Sequence, residues 1–146
     1  MGTNSTAKML EEETVYAHSA GKLCVALEYS HNVVLAGETA LGSRASVTVT
    51  DILALSGALM VASEFRAGGM QAYSAPASGL VVELRMGHIT VRSPRVTGPD
   101  VVFVVDNVTA VREGLSICRS FRDSREAIAE TERKSDLRAA GLGACA

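Results

Sequence analysis

The chain has 146 residues, of which 47% are hydrophobic and 21% charged, with a net charge of −2. That is long enough to bury one core without disulfide or metal support and too apolar for a disordered chain. No apolar run approaches the ~20 residues that a membrane-spanning helix needs. The slightly negative balance excludes binding of nucleic acid by bulk charge, so any such role must rest on a local basic face.

Residues 1–13, "MGTNSTAKMLEEE", lack the apolar stretch of a secretory signal, and their three consecutive glutamates argue against a transit peptide. They are expected to form a flexible acidic tip. Thr14 to Ala17 and Lys22 to Glu28 alternate or run apolar around Ser19, Ala20 and Gly21, which predicts a hairpin. "HNVVLAGE" and "RASVTVT" add two short β-rich runs, with the loop Gly37 to Arg44 between them, so the first four strands form a meander.

The period then changes. In "TDILALSGALMVASEF" the residues Ile52, Leu55, Leu59 and Ala62 recur at helical spacing, with Thr50 as the expected N-cap and Asp51 suited to the positive helix end. Gly68 and Gly69 stop this helix. Gly57 in its middle costs about 1 kcal/mol relative to alanine, and marks either a close packing contact or a tolerated weakness.

The β pattern resumes in "MQAYSA", "GLVVELRM", "HITVRS" and "DVVFVVD". Asp106 or Asn107 then caps a long second helix whose Val108, Val111, Leu115 and Cys118 form one apolar stripe. Beyond Arg119 this helix turns charged, and residues 131–146 read as a charged, frayed tail behind one domain spanning 14–130. The expected fold is therefore α+β with a duplicated ββββα order, two antiparallel four-stranded sheets packed with two helices.

The sequence carries no Walker loop, dinucleotide fingerprint, nucleophile elbow or zinc-protease motif. His18, His31 and His88 are far apart in sequence with no partner at ligand spacing, so no metal and no cofactor are expected and no residue stands out as a catalyst. Cys24, Cys118 and Cys145 form an odd set without ligand spacing and read as reduced thiols of an intracellular compartment; Cys118 lies on the apolar stripe as a small hydrophobe.

The strand faces are more informative. Leu80, Val82, Leu84 and Met86 share one face, leaving Val81, Glu83 and Arg85 on the other; Ile89 and Val91 oppose His88, Thr90 and Arg92. The second hairpin thus presents a polar row that is positive on balance, which Lys22, Arg44 and Arg95 can join. Such a row engages phosphates, and interleaved aromatics stack on bases, although the only tyrosines are Tyr16, Tyr29 and Tyr73.

In "VYAHSAGKLCVALE" a Gly-Lys turn, Gly21-Lys22, leads into an apolar strand; in "VTVTDILALSGALM" a strand passes into a helix through a small capping residue; in "VVFVVDNVTAVREGLSICRSF" an apolar strand runs into a helix with Cys118 and Phe121 close together. Together with the order of elements, these patterns resemble the Whirly family of single-stranded nucleic-acid-binding proteins and its structural relatives, over roughly Thr14 to Ile128. The relatives are coactivators that bind single-stranded DNA and guide-RNA-binding proteins of kinetoplastid mitochondria.

The resemblance implies a non-enzymatic tetramer that holds single-stranded DNA or RNA over its sheets. In it Lys22, Arg85, His88 and Arg92, with Arg44 and Arg95, face phosphates and Tyr16 stacks, and the resemblance suggests a mitochondrial location. Departures from the family are the single lysine of the first hairpin, the absence of tryptophan and the acidic balance. They favour an alternative, a structural or assembly subunit that keeps the fold without binding nucleic acid.

Overall fold

A computed structural model describes residues 14–139. The acidic tip expected over 1–13, and residues 140–146, lie outside the described residues. Eight strands and two helices follow in the order β1 (Thr14–Ala20), β2 (Leu23–Glu28), β3 (Val33–Glu38), β4 (Arg44–Val49), α1 (Ile52–Ala67), β5 (Ala72–Ala77), β6 (Leu80–Arg85), β7 (His88–Ser93), β8 (Val101–Val105) and α2 (Val108–Ala139). The strands form two antiparallel meanders, β1-β2-β3-β4 and β5-β6-β7-β8, giving the duplicated ββββα order of an α+β fold.

The strands form because their apolar residues recur with period two, so that one pleat face is oily. In the first sheet Leu23, Val25 and Leu27 of β2, Val33 and Leu35 of β3 and Val49 of β4 point inward; in the second, Val82 and Leu84, Ile89 and Val91, and Val101, Phe103 and Val105 do so. They meet Leu55 and Leu59 of α1 and Val111, Leu115 and Cys118 of α2 in one continuous core. Met86, expected to share the inner face of β6, instead sits in the β6–β7 turn with positive φ and 88% exposure.

The helices are exchanged between the halves. α1 follows the first sheet yet packs on β5, β6 and β7, while α2 follows the second sheet and packs on β1, β2 and β3; the two helices also touch each other. At the start of α1 the cap is Asp51, whose Oδ1 accepts from the Ala54 backbone N–H at 3.0 Å, and not Thr50 as expected. Thr50 is occupied elsewhere: its hydroxyl donates to the Ser78 carbonyl at 3.1 Å and lies 2.9 Å from the Ser78 hydroxyl, tying the β4–α1 junction to the β5–β6 turn.

Of the two candidates for the second cap, Asn107 takes the role, accepting from the Ala110 N–H at 3.0 Å. α2 then continues without a break past residue 130 to Ala139, so the stretch expected to fray is helical to that point. Its approach to β2 depends on Gly114, which is buried; a Cβ there would lie 2.9 Å from Val25 Cβ and 3.0 Å from the His18 ring.

Gly57 is the opposite case, since a Cβ added there meets nothing within 4 Å. It is a tolerated weakness in α1. Gly57→Ala is therefore expected to raise unfolding stability by about 0.5–1 kcal/mol, and Gly114→Ala to lower it by about 1–3 kcal/mol through overpacking. Urea midpoints of the two variants check both signs.

Candidate nucleic-acid interface

The outer face of the second sheet is set by register. Glu83 of β6 pairs with Ser74 of β5 and Thr90 of β7, Val81 pairs with Arg92, Arg92 with Val102, and Arg85 with His88. Glu83, Arg85, His88, Thr90 and Arg92 accordingly share one surface, as their alternation predicts. With Asp100 and Val102 they line a shallow, open depression of about 380 Å³.

Its centre is an ion network. Arg92 donates from Nε to Glu83 Oε1 at 2.8 Å and from Nη1 to Asp100 Oδ2 at 3.1 Å. Arg85 stands beside the same glutamate, its Nη2 3.7 Å from Oε2, but keeps 82% of its side chain in solvent. Glu83 is only 15% exposed, so its charge depends on these arginines for compensation.

Hydrogen bonds from Arg92 to Glu83 and then to Asp100 push the guanidinium further toward its charged form. The Asp100 carboxyl is held below its ordinary range, first by the Arg95 backbone N–H, which donates to Oδ1 at 3.0 Å, and then by Arg92. Asp100 is the member that sequence reasoning missed. It lies two residues before Val102, the register partner of Arg92, and that proximity follows only once the Pro94–Pro99 loop has returned the chain into β8.

The remaining expected residues distribute as follows. Lys22, in the β1–β2 turn, and Arg44, at the start of β4, flank β3 at one end of the first sheet: the Glu38 N–H is 3.5 Å from the Lys22 carbonyl, and Glu38 pairs in register with Arg44. Lys22, Arg44 and Arg95 are exposed and make no ion pair among the described residues. The β3–β4 loop next to Arg44 reaches the second sheet, where the Ala40 N–H donates to the Val102 carbonyl at 2.8 Å.

Tyr16 is not part of this surface. It pairs with Leu27 on the inward face of β1, packs edge-on against Phe121 of α2 at 5.1 Å between ring centroids, and its hydroxyl lies 3.0 Å from His18 Nδ1. The exposed tyrosine is Tyr29, 58% accessible, with the Arg125 guanidinium 5.3 Å above its ring.

The outer face of the first sheet carries no charge along its centre, where Ala17, Ala26, Val34 and Thr48 form one cross-strand row and Ser19, Cys24, Ala36 and Ser46 the next. Burial pushes the Cys24 thiol up, and pushes Cys118, beneath β2 with its Sγ 3.9 Å from the Val25 carbonyl, to about 11. Neither is tuned to be a thiolate nucleophile.

Among the described residues no three His, Cys, Asp or Glu side chains are grouped to hold a metal ion, and no helix is long and apolar enough to cross a membrane. Comparison with family models, with curated proteins and with solved structures finds no match to this chain.

The Asp100 interaction has a pH signature. Because the folded carboxyl titrates below its unfolded value of about 3.9, Asp100 adds stability above that pH and loses it as the pH falls through the folded value. Asp100→Asn is therefore expected to flatten the loss of stability between pH ~5 and ~2 relative to the parent chain, as read from urea midpoints across that window.

Proposed function

We propose that the protein is a non-enzymatic binder of single-stranded DNA or RNA that works as an oligomer, with phosphates tracked by Lys22, Arg44 and Arg95 and with Arg85 engaging the strand from the outer face of the second sheet. The observation that carries this reading is the Ala40–Val102 hydrogen bond. It brings the end of the first sheet that bears Lys22 and Arg44 against the edge strand of the second sheet, whose outer face bears Arg85 and Arg92. This junction between the sheets supports a path for a flexible polyanion from the cations of one half of the chain to those of the other.

The role of Arg92 differs from that of the others. Its charge is already matched by Glu83 and Asp100, so it orders the face and adds little net attraction for phosphate. The order of elements supports the same reading through the Whirly resemblance, which is also the ground for proposing a tetramer and a mitochondrial location.

A second reading, an assembly subunit, is favoured by this same neutralisation and by the exposed apolar side chains Leu53 and Met60 on α1 and Phe121, Ile128 and Leu137 on α2. Size-exclusion separates the two, since a self-sufficient binder elutes as one defined oligomer and a subunit without its partner aggregates.

Fluorescence anisotropy of a labelled single-stranded oligonucleotide tests the leading reading. Affinity should fall linearly with salt on logarithmic axes, and Lys22→Ala and Arg44→Ala should each reduce the slope by about 0.7, one phosphate contact apiece. Absence of salt-sensitive binding at low ionic strength would rule the reading out.

A further inference from the structure

A surface that only tracked phosphate would carry cations alone, yet the depression on the second sheet has a carboxylate at its centre. Glu83 lies between Ser74 and Thr90 in register and is largely sheltered, and its two oxygens are not equivalent. Oε1 accepts from Arg92 Nε at 2.8 Å, whereas Oε2 has no hydrogen-bond donor among the described residues and stands 3.7 Å from the Arg85 guanidinium, beyond hydrogen-bond distance. Oε2 is thus an acceptor with a vacant direction, next to a guanidinium that is mostly in solvent. Val102 supplies an apolar wall of the same depression.

The order of groups along a base edge decides which base suits a carboxylate beside a guanidinium. Cytosine presents its amine at one end of the edge with acceptors following, and adenine its amine next to a ring-nitrogen acceptor; thymine and uracil hold their one ring N–H between two carbonyls, so a carboxylate that accepts from it is pressed against the second carbonyl oxygen. Unstacked bases of single strands are read on this edge, and carboxylates accept from the cytosine amine.

We propose that Glu83 and Arg85 read an amino-bearing base, cytosine in the pyrimidine series, with Glu83 Oε2 accepting from the exocyclic amine and Arg85 donating to the adjacent ring nitrogen. Arg92 and Asp100 are positioning residues that hold the Glu83 carboxylate in one orientation through Oε1. The inference rests on the nucleic-acid reading above and adds base selectivity to it. Phosphate contacts from Lys22, Arg44 and Arg95 set affinity for any strand, and the Glu83–Arg85 pair sets the preference among strands.

The test compares oligocytidylate and oligothymidylate of equal length at slightly alkaline pH, where cytosine is unprotonated, by anisotropy with the full chain. The parent protein should bind the cytosine strand about tenfold more tightly, within the range of a good bidentate base contact. Glu83→Gln should bring the ratio to about one while thymine-strand binding holds or tightens, because a negative charge has left the face.

Arg85→Gln, at an exposed position that the fold does not need, should also abolish the ratio and weaken both strands. Equal binding of both strands by the parent overturns the base-reading proposal and leaves the nucleic-acid reading intact, as does a ratio that persists in both variants. Failure of both strands to bind at low salt overturns the nucleic-acid reading itself, and the base-reading proposal with it.

Discussion

Each half of this chain makes a four-stranded sheet with one oily face, and neither half covers that face with its own helix. α1 crosses to the second sheet and α2 to the first, so the two ββββα units are interlocked around a single core. A sheet whose inward residues are Val, Leu, Ile and Phe gains about 25 cal/mol for each Å² removed from water, and here that gain is available only when both halves are present. The exchange also decides which surfaces remain for function. Both inner faces are consumed, and the outer faces are left uncovered by either helix.

The exchange demands close approach where helix and sheet meet, and the smallest residues stand there. Gly114 lets α2 settle on Val25 and His18, and Gly37, whose Cβ would lie 2.3 Å from the Lys22 carbonyl, lets β3 pass the β1–β2 turn. Two polar contacts then fix the halves against each other at their ends, Thr50 with Ser78 and Ala40 with Val102. The second of these brings the β3–β4 loop, next to Arg44, onto the β8 edge of the second sheet.

Electrostatics on the outer face follow from burial. A glutamate only 15% exposed on a sheet surface is costly unless it is hydrogen-bonded to a cation, and Arg92 meets that need while also engaging Asp100. The result is a stiff ionic lattice in which one arginine is structural and its neighbour Arg85 is left nearly free. Both residues have the same chemistry and lie on the same face. Cross-strand geometry alone separates their roles.

Much of the fold was legible in the residues. Period-two runs around Leu80–Leu84 and Ile89–Val91 fixed strands and faces, the spacing of Ile52, Leu55 and Leu59 fixed a helix, and the duplicated order emerged from counting. These are local properties, written within a few residues of one another by backbone periodicity and turn chemistry. The sequence left open only whether Asp106 or Asn107 caps the second helix; it misplaced the first cap, which is Asp51 and not Thr50, and the stacking role expected of Tyr16, which faces inward, because each was a choice between equivalent local partners.

The candidate surface was legible as a row of polar residues but not as a circuit. Glu83, Arg85 and Arg92 were placed on one face by alternation, whereas the pairing of Arg92 with Asp100, the separation of Tyr16 from the surface and the approach of the Lys22–Arg44 end to β8 depend on loops and on helix exchange. By itself the sequence determined the elements and the faces they present, because both are set by near neighbours along the chain. Tertiary structure alone decided which charges pair with one another and which stay exposed to solvent, because ion pairing depends on distances between strands that no local pattern encodes.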